Sequence, residues 1–185
     1  TIKDNRLIFS ALKADSSNNA EEVYDRAYRT KLYYSDRNGL GEFQKSEINT
    51  DLFHSNLNYG NGSFSLDGTK YYFSICEDDD FKYTCKIVVA QKNDSIWVVT
   101  DTLGIQINEK GANSTMPFYT RIDEKEVLLF SSNRKGGNGG MDLWYAESID
   151  GLSFKEALNI RVLNSVENEV SPFYDTTRNR LFFSS

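Results

Sequence analysis

Three groups of residues in this 185-residue chain could do chemistry by their type and spacing: Gly136, Gly137, Gly139 and Gly140; the pair Cys76 and Cys85; and the run Glu77-Asp78-Asp79-Asp80. The glycines raise the question of a phosphate-binding loop. That chemistry needs a strand, the glycines, a Lys, a Ser or Thr, and then a helix whose N-terminus holds the phosphate. Here the glycines lead into Asp142-Leu143-Trp144-Tyr145, which reads as a strand. The expectation is a tight connection between strands, with glycines at positive φ. Arg134 and Asp142 flank it and are expected to be structural, paired with each other or bonding loop backbone groups.

Cys76 ends one predicted strand and Cys85 begins the next. Antiparallel neighbours at a hairpin mouth bring Cα atoms within bonding reach, so a Cys76–Cys85 disulfide is expected. Such a bond fits an oxidising compartment such as the periplasm. The rival is two reduced cysteines or half of a metal site. A zinc site would need two further ligands, and His54 is the only histidine. The acidic run lacks the alternate spacing and bend glycine of a calcium loop, so a solvated hairpin tip is expected, with weak calcium binding as the alternative. No cofactor is expected.

Nucleophilic machinery is absent from the sequence. There is no Gly-x-Ser-x-Gly, no His-Glu-x-x-His and no plausible Ser-His-Asp set, and a single histidine argues against a His-dependent nucleophilic mechanism. Paired carboxylates suffice for glycoside hydrolysis. The candidate inner strands, GSFS, TMPFY and SPFY, hold no Asp or Glu, although Glu169 lies just before one. Ser148-Ile149-Asp150-Gly151 lacks the full spacing of a sialidase Asp-box. The chain is therefore expected not to be an enzyme. A net charge of −6 disfavours nucleic acid and anionic membranes. No apolar run is long enough to span a bilayer. No secretion signal or initiator Met is present, so Thr1 is expected to be a processed or cut end.

The elements that position these residues repeat. Phe64, Phe118 and Phe173 are 54 and 55 residues apart, and a strand-end Phe-Ser recurs at Phe9, Phe73, Phe130 and Phe183. A fixed period in this range means one supersecondary unit stacked on copies of itself. The 14% aromatic content favours strands. Each unit reads as four strands: A at 62–65, 115–119 and 171–174; B at 6–10, 70–75, 126–131 and 180–184; C at 30–35, 85–90 and 142–147; D at 42–48, 95–100 and 153–158. Asn38-Gly39, Asp67-Gly68, Asn93-Asp94 and Asp150-Gly151 mark turns. The expected fold is all-β: a β-propeller of four-stranded antiparallel blades, about three and a half of them, with inner A strands and the chain starting at a B strand. The divisions are a blade part at 1–52, blades at 53–107 and 108–163, and a blade part at 164–185. An open ring leaves sheet faces bare, so the chain is expected to belong to a longer protein. Within 11–29, Asn19 and Glu22 form a possible capping box ahead of two helical turns, with an extended loop as the alternative.

The third unit, LLFSSNRKGGNGGMDLWYAESIDGLSF followed by NSVENEVSPFYDTTRNRLFFSS, resembles the WD-like (TolB-type) propeller repeat of Bacteroidota envelope proteins. The resemblance spans residues 6–185. It weakens in the second unit, where a Cys-flanked loop replaces the Arg and Gly-Gly run, and in the first, where a longer insertion does. It implies a non-enzymatic periplasmic, outer-membrane-associated module that docks other cell-envelope proteins, as in OmpA-linked or PorE-type components of type IX secretion. Glycan or peptidoglycan would be engaged through domains not in this chain. A carbohydrate-binding or glycosidase-like propeller is the alternative. Long B–C and D–A connections share one face, where binding is expected. The candidate partner-binding residues there are Asn133, Arg134, Lys135, Asn138, Asp78, Asp79, Glu109 and Glu167.

Overall fold

The computed structural model describes residues 1–3, 5–12, 30–52, 57–79, 82–94 and 96–185. The possible capping box at Asn19 and Glu22, and His54, lie outside these residues. The described chain is all-β. β1 (Ile2–Lys3), β2 (Arg6–Ala11), β3 (Lys31–Asp36) and β4 (Glu47–Ile48) form the first sheet. β5 (Asn58–Phe64), β6 (Lys70–Asp79), β7 (Lys82–Asn93) and β8 (Ile96–Thr102) form the second. β9 (Ser114–Ile122), β10 (Lys125–Ser132), β11 (Asp142–Glu147) and β12 (Leu158–Asn159) form the third. β13 (Val170–Asp175) and β14 (Arg180–Ser184) make a two-stranded hairpin. Strands neighbour one another in chain order and pair antiparallel throughout.

Several boundaries differ from expectation. The first sheet opens with β1, an inner strand ahead of the expected first element. β5 starts four residues before 62, because a bulge between Tyr59 and Gly62 interrupts the two-residue alternation that marks a strand. The outermost strands of the first and third sheets shrink to two-residue ladders, preceded by single bridges Arg37↔Phe43 and Ser148↔Phe154. In the first, Asn38 Oδ1 accepts the N–H groups of Leu40 and Glu42, and Gly41 sits at φ 85°, so the chain turns before it can pair.

The second sheet buries both faces. Along β6, Tyr71 and Phe73 pack toward the first sheet with Ile8, Leu32 and Leu52. Tyr72, between them, packs toward the third sheet with Tyr119, Leu128 and Phe130. Tyr72 and Tyr119 stack 4.9 Å apart across that boundary. Alternate side chains of a strand point to opposite faces, so one strand feeds two cores.

Polar latches repeat beside the apolar ones. Ser10 donates its N–H and hydroxyl to Asn61 Oδ1 at 2.7 and 3.0 Å. One repeat on, Ser74 Oγ accepts the Met116 N–H at 2.8 Å and the Thr115 hydroxyl at 2.9 Å. Ser131 is third in this series, and Val170 stands where Asn61 and Thr115 stood. Valine has no hydroxyl, and the buried Ser131 hydroxyl has no partner among the described residues. Asparagines fasten the loops to the third strand of the second and third sheets: Asn108 bonds both the N–H and C=O of Ile87, and Asn164 does the same to Leu143.

Phe130 is fully buried between the second and third sheets. Phe130→Ala should lower unfolding stability by about 3–5 kcal/mol. Val162→Ser, at a position 91% exposed, should shift it by no more than about 0.5 kcal/mol. Urea unfolding followed by circular dichroism distinguishes the two.

Candidate functional site

Consecutive inner strands lie against one another, β5 against β9 and β9 against β13. Their exposed sides frame a groove of about 810 Å³. Its floor is built by a bulge recurring in each of these three strands. Met116 and Ser171 occupy the bulges at φ 53° and 58°, each followed by a proline, Pro117 and Pro172. In β5 the bulge lies earlier, between Tyr59 and Gly62; Gly62, the repeat counterpart of Met116, pairs with Phe73, and an added Cβ there would lie 1.9 Å from the Tyr72 carbonyl oxygen. The bulges turn Phe118 and Phe173 into the groove, with ring centroids 5.0 Å apart. Phe173 is 50% exposed. Among the described residues the groove lining includes no Asp, Glu, His or Cys. Such a surface can stack on a ligand and exclude water, but it offers no side-chain carboxylate or imidazole for proton transfer.

A second cavity of about 440 Å³ adjoins the groove and shares Asn61 and Met116 with it. Cys76 and Cys85 line it and are joined by a disulfide, with Cα atoms 4.1 Å apart. The hairpin does not end at these cysteines. β6 continues to Asp79 and β7 begins at Lys82, so Asp78 and Asp79 are strand residues opposite Tyr83 and Lys82. The expected loop is thus a paired extension, with only its tip outside the described residues. Tyr83 and Thr84 are good strand formers, so the ladder runs on past the disulfide.

The glycine-rich connection is structural. Gly136 takes φ +87°, but its neighbours are glycine for a different reason. A Cβ on Gly137 would meet Asp142 Oδ2 at 2.1 Å, and one on Gly139 would meet the Val166 backbone at 2.5 Å. Asp142 accepts the Asn138 N–H through both oxygens, at 3.0 and 3.1 Å. Arg134 does not pair with it. The Arg134 guanidinium turns inward over Phe130 and Trp144, with ring centroids at 4.7 and 5.2 Å. It donates to the Gln106 carbonyl at 2.8 Å, the Ile107 carbonyl, and the Ser114 and Ser132 hydroxyls. Burial holds its pKa below the ordinary arginine range, partly offset by Glu109.

Of the residues expected to meet a partner, Arg134 is therefore unavailable, with its donors spent on loop backbone and hydroxyls. Asn138 is exposed, but its amide donates to the Asn164 carbonyl at 2.8 Å. Asn133 accepts the Asn113 N–H at 2.7 Å. Lys135 and Glu167 are exposed, and Glu109 is half-buried. Glu169 does not reach the groove. It is fully buried, and its carboxylate accepts the Ser165 hydroxyl, the Ser165 N–H at 2.9 Å and the Ser185 hydroxyl at 3.3 Å. The groove residues Met116, Pro117, Pro172 and Phe173 were not singled out as a site from sequence. The signal for them is the periodic aromatic itself, which reads as core until the bulge turns it outward.

No family model and no curated protein matches the chain. Among solved structures the chain is similar to a β-1,2-mannobiose phosphorylase from Listeria innocua, solved in complex with β-1,2-mannobiose. The TM-score is 0.50 at 12% identity, over 99% of this chain and 63% of that protein. The chain thus spans less than two thirds of that protein's length, and the likeness is one of fold.

Two outcomes follow from the loop chemistry. Arg134→Ala should cost about 2–3 kcal/mol, because it strands buried carbonyls and hydroxyls, while Lys135→Ala stays within about 0.5 kcal/mol. Equilibrium unfolding of the two variants measures this. The Ser165 hydroxyl and N–H hold the Glu169 carboxyl below the ordinary glutamate range, and burial opposes them. A depressed folded pKa contributes stability above the unfolded value of about 4.3, and that contribution is lost as pH falls through the folded pKa. Glu169→Gln should accordingly flatten the acid limb of a stability–pH profile while lowering stability at neutral pH.

Proposed function

We propose that this chain is a segment of a β-propeller acting as a non-catalytic binding module for other proteins of a bacterial cell envelope, in the periplasm. The observation that carries this reading is the groove: the apolar surface framed by the inner strands presents Phe118, Phe173 and Met116 and, among the described residues, no carboxylate or imidazole. The stacking of successive four-stranded sheets in chain order supports the propeller assignment. The disulfide suits an oxidising compartment. The resemblance of the third repeat to Bacteroidota envelope propellers supplies the context, a type IX-like secretion or peptidoglycan-tethering assembly. Lys135 and Glu167 are the exposed loop residues for a partner to meet, on a scaffold that the Arg134 and Asn164 bonds keep stiff.

A second reading, carbohydrate binding in the groove, is favoured by the part-exposed Phe118 and Phe173 rings and by fold likeness to a protein that acts on a mannobiose. Photo-crosslinking amino acids at 135, 167 and 173 in cells separate the two. Crosslinks to one defined envelope protein at 135 and 167 support the protein platform. Shifts of the groove resonances on titration with β-1,2-mannobiose, without loop crosslinks, would favour the second reading. Turnover of that disaccharide by the purified chain would overturn the non-catalytic assignment.

A further inference from the structure

We infer that Cys76, Cys85, Met116 and Met141 form a redox-gated site for a soft monovalent metal ion, copper(I). The chain has two cysteines and two methionines, and all four line the same cavity of about 440 Å³. They arrive from separate elements: β6, β7, the β9 bulge, and the residue immediately before β11. Core packing does not account for the gathering, since both methionines are half-buried and belong to neither apolar cluster. Met116 is placed by its bulge, and its sulfur accepts the Ser171 hydroxyl at 3.2 Å. The Met141 backbone is held by Asn168 Oδ1 at 2.8 Å and by the Glu169 N–H, which leaves its side chain to adapt. Among the described residues the cavity lining contains no Asp, Glu or His, so these residues offer nothing to a hard cation and no imidazole to zinc. Thiolates and thioethers together select copper(I).

The disulfide is the gate. While the sulfurs are bonded to each other, neither is a thiolate, and two thioethers are a poor site. A dithiol reductant supplies two electrons and two protons: the S–S bond breaks, two thiols form, and the reductant leaves as its own disulfide. Copper(I) then displaces both thiol protons and takes the two thiolates, with the Met116 and Met141 sulfurs completing the shell. The thiols do not drift apart on reduction. The ladder pairs on either side, Ile75↔Lys86 and Glu77↔Thr84, keep Cys76 opposite Cys85.

The test is a competition titration. The purified chain, oxidised or reduced with a dithiol and desalted without oxygen, is added to the coloured copper(I)–bicinchoninate complex, and the loss of colour counts the metal withdrawn. The reduced chain should withdraw a single copper(I), and the oxidised chain none. The Met116→Leu/Met141→Leu variant keeps the volume and the cysteines. It should bind roughly tenfold or more weakly when reduced. X-ray absorption of the loaded chain should show sulfur neighbours exceeding the two thiolates. The proposal is overturned if the reduced chain withdraws no copper, if the oxidised chain binds equally, or if the methionine variant binds as tightly as the parent. The Cys76→Ser/Cys85→Ser variant should lose binding altogether, and if it fails to fold the methionine variant alone decides.

Discussion

The architecture depends on the second sheet having two apolar faces. Tyr71 and Phe73 leave β6 on one side and Tyr72 leaves it on the other, and all three are buried. A sheet of this kind has no solvent face, so it must lie between neighbours. The sheets to either side inherit the constraint, and the chain stacks them in sequence order. Hydrogen bonding then fixes how they stack. The side chains at Ser10 and Ser74 reach the inner strand of the next sheet, and the Ser63 hydroxyl accepts the Tyr119 N–H at 2.6 Å. Apolar burial supplies the driving force without direction, and these short polar contacts supply the direction.

Much of this was legible in the sequence, because strands and turns are local. Phe64, Phe118 and Phe173 announced the period, and Asp67-Gly68 marked the turn that the structure closes with Gly68 at φ 71°. The β10–β11 ladder from Val127↔Glu147 to Ser132↔Asp142 follows from two uninterrupted strand patterns. What escaped was whatever depends on a distant partner. Ser74 reads as a polar strand end, and its meaning lies at Met116, in the next repeat. Arg134 reads as a structural residue of its loop, but the backbone groups that it bonds, the Gln106 and Ile107 carbonyls, come from the preceding connection and are not named by the local sequence. Bulges escaped for the opposite reason: they are local, but they break the alternation by which strands are recognised.

The same distinction separates framework from site. The glycine-rich connection has the most conspicuous composition in the chain, yet its glycines exist so that residues 137–140 can lie against Asp142 and the 164–168 segment. Conspicuous residues here brace loops. The surfaces left open are made by inconspicuous ones: a proline after each occupied bulge and a phenylalanine after that. Positive φ at Met116 and Ser171 is a conformation that L-residues adopt at a cost, and it persists because the ladders on both sides over-determine it. That backbone departure carries Phe118 and Phe173 to the groove and sets Met116 at the boundary between the groove and the disulfide-lined cavity.

The two cavities therefore share a hinge point with two kinds of neighbour. On one side Met116 meets aromatic rings and prolines, a surface suited to apolar or ring-stacking contact. On the other it meets the disulfide and Met141, a surface whose chemistry changes with the oxidation state of one bond. Because the disulfide spans a sequence separation of only nine residues, it removes little freedom from the unfolded chain compared with a long-range crosslink. The two buried cores hold the sheets together without it, so its consequences are local to the hairpin root and the cavity it lines. A bond that the fold can spare can change state while the scaffold around it stays intact.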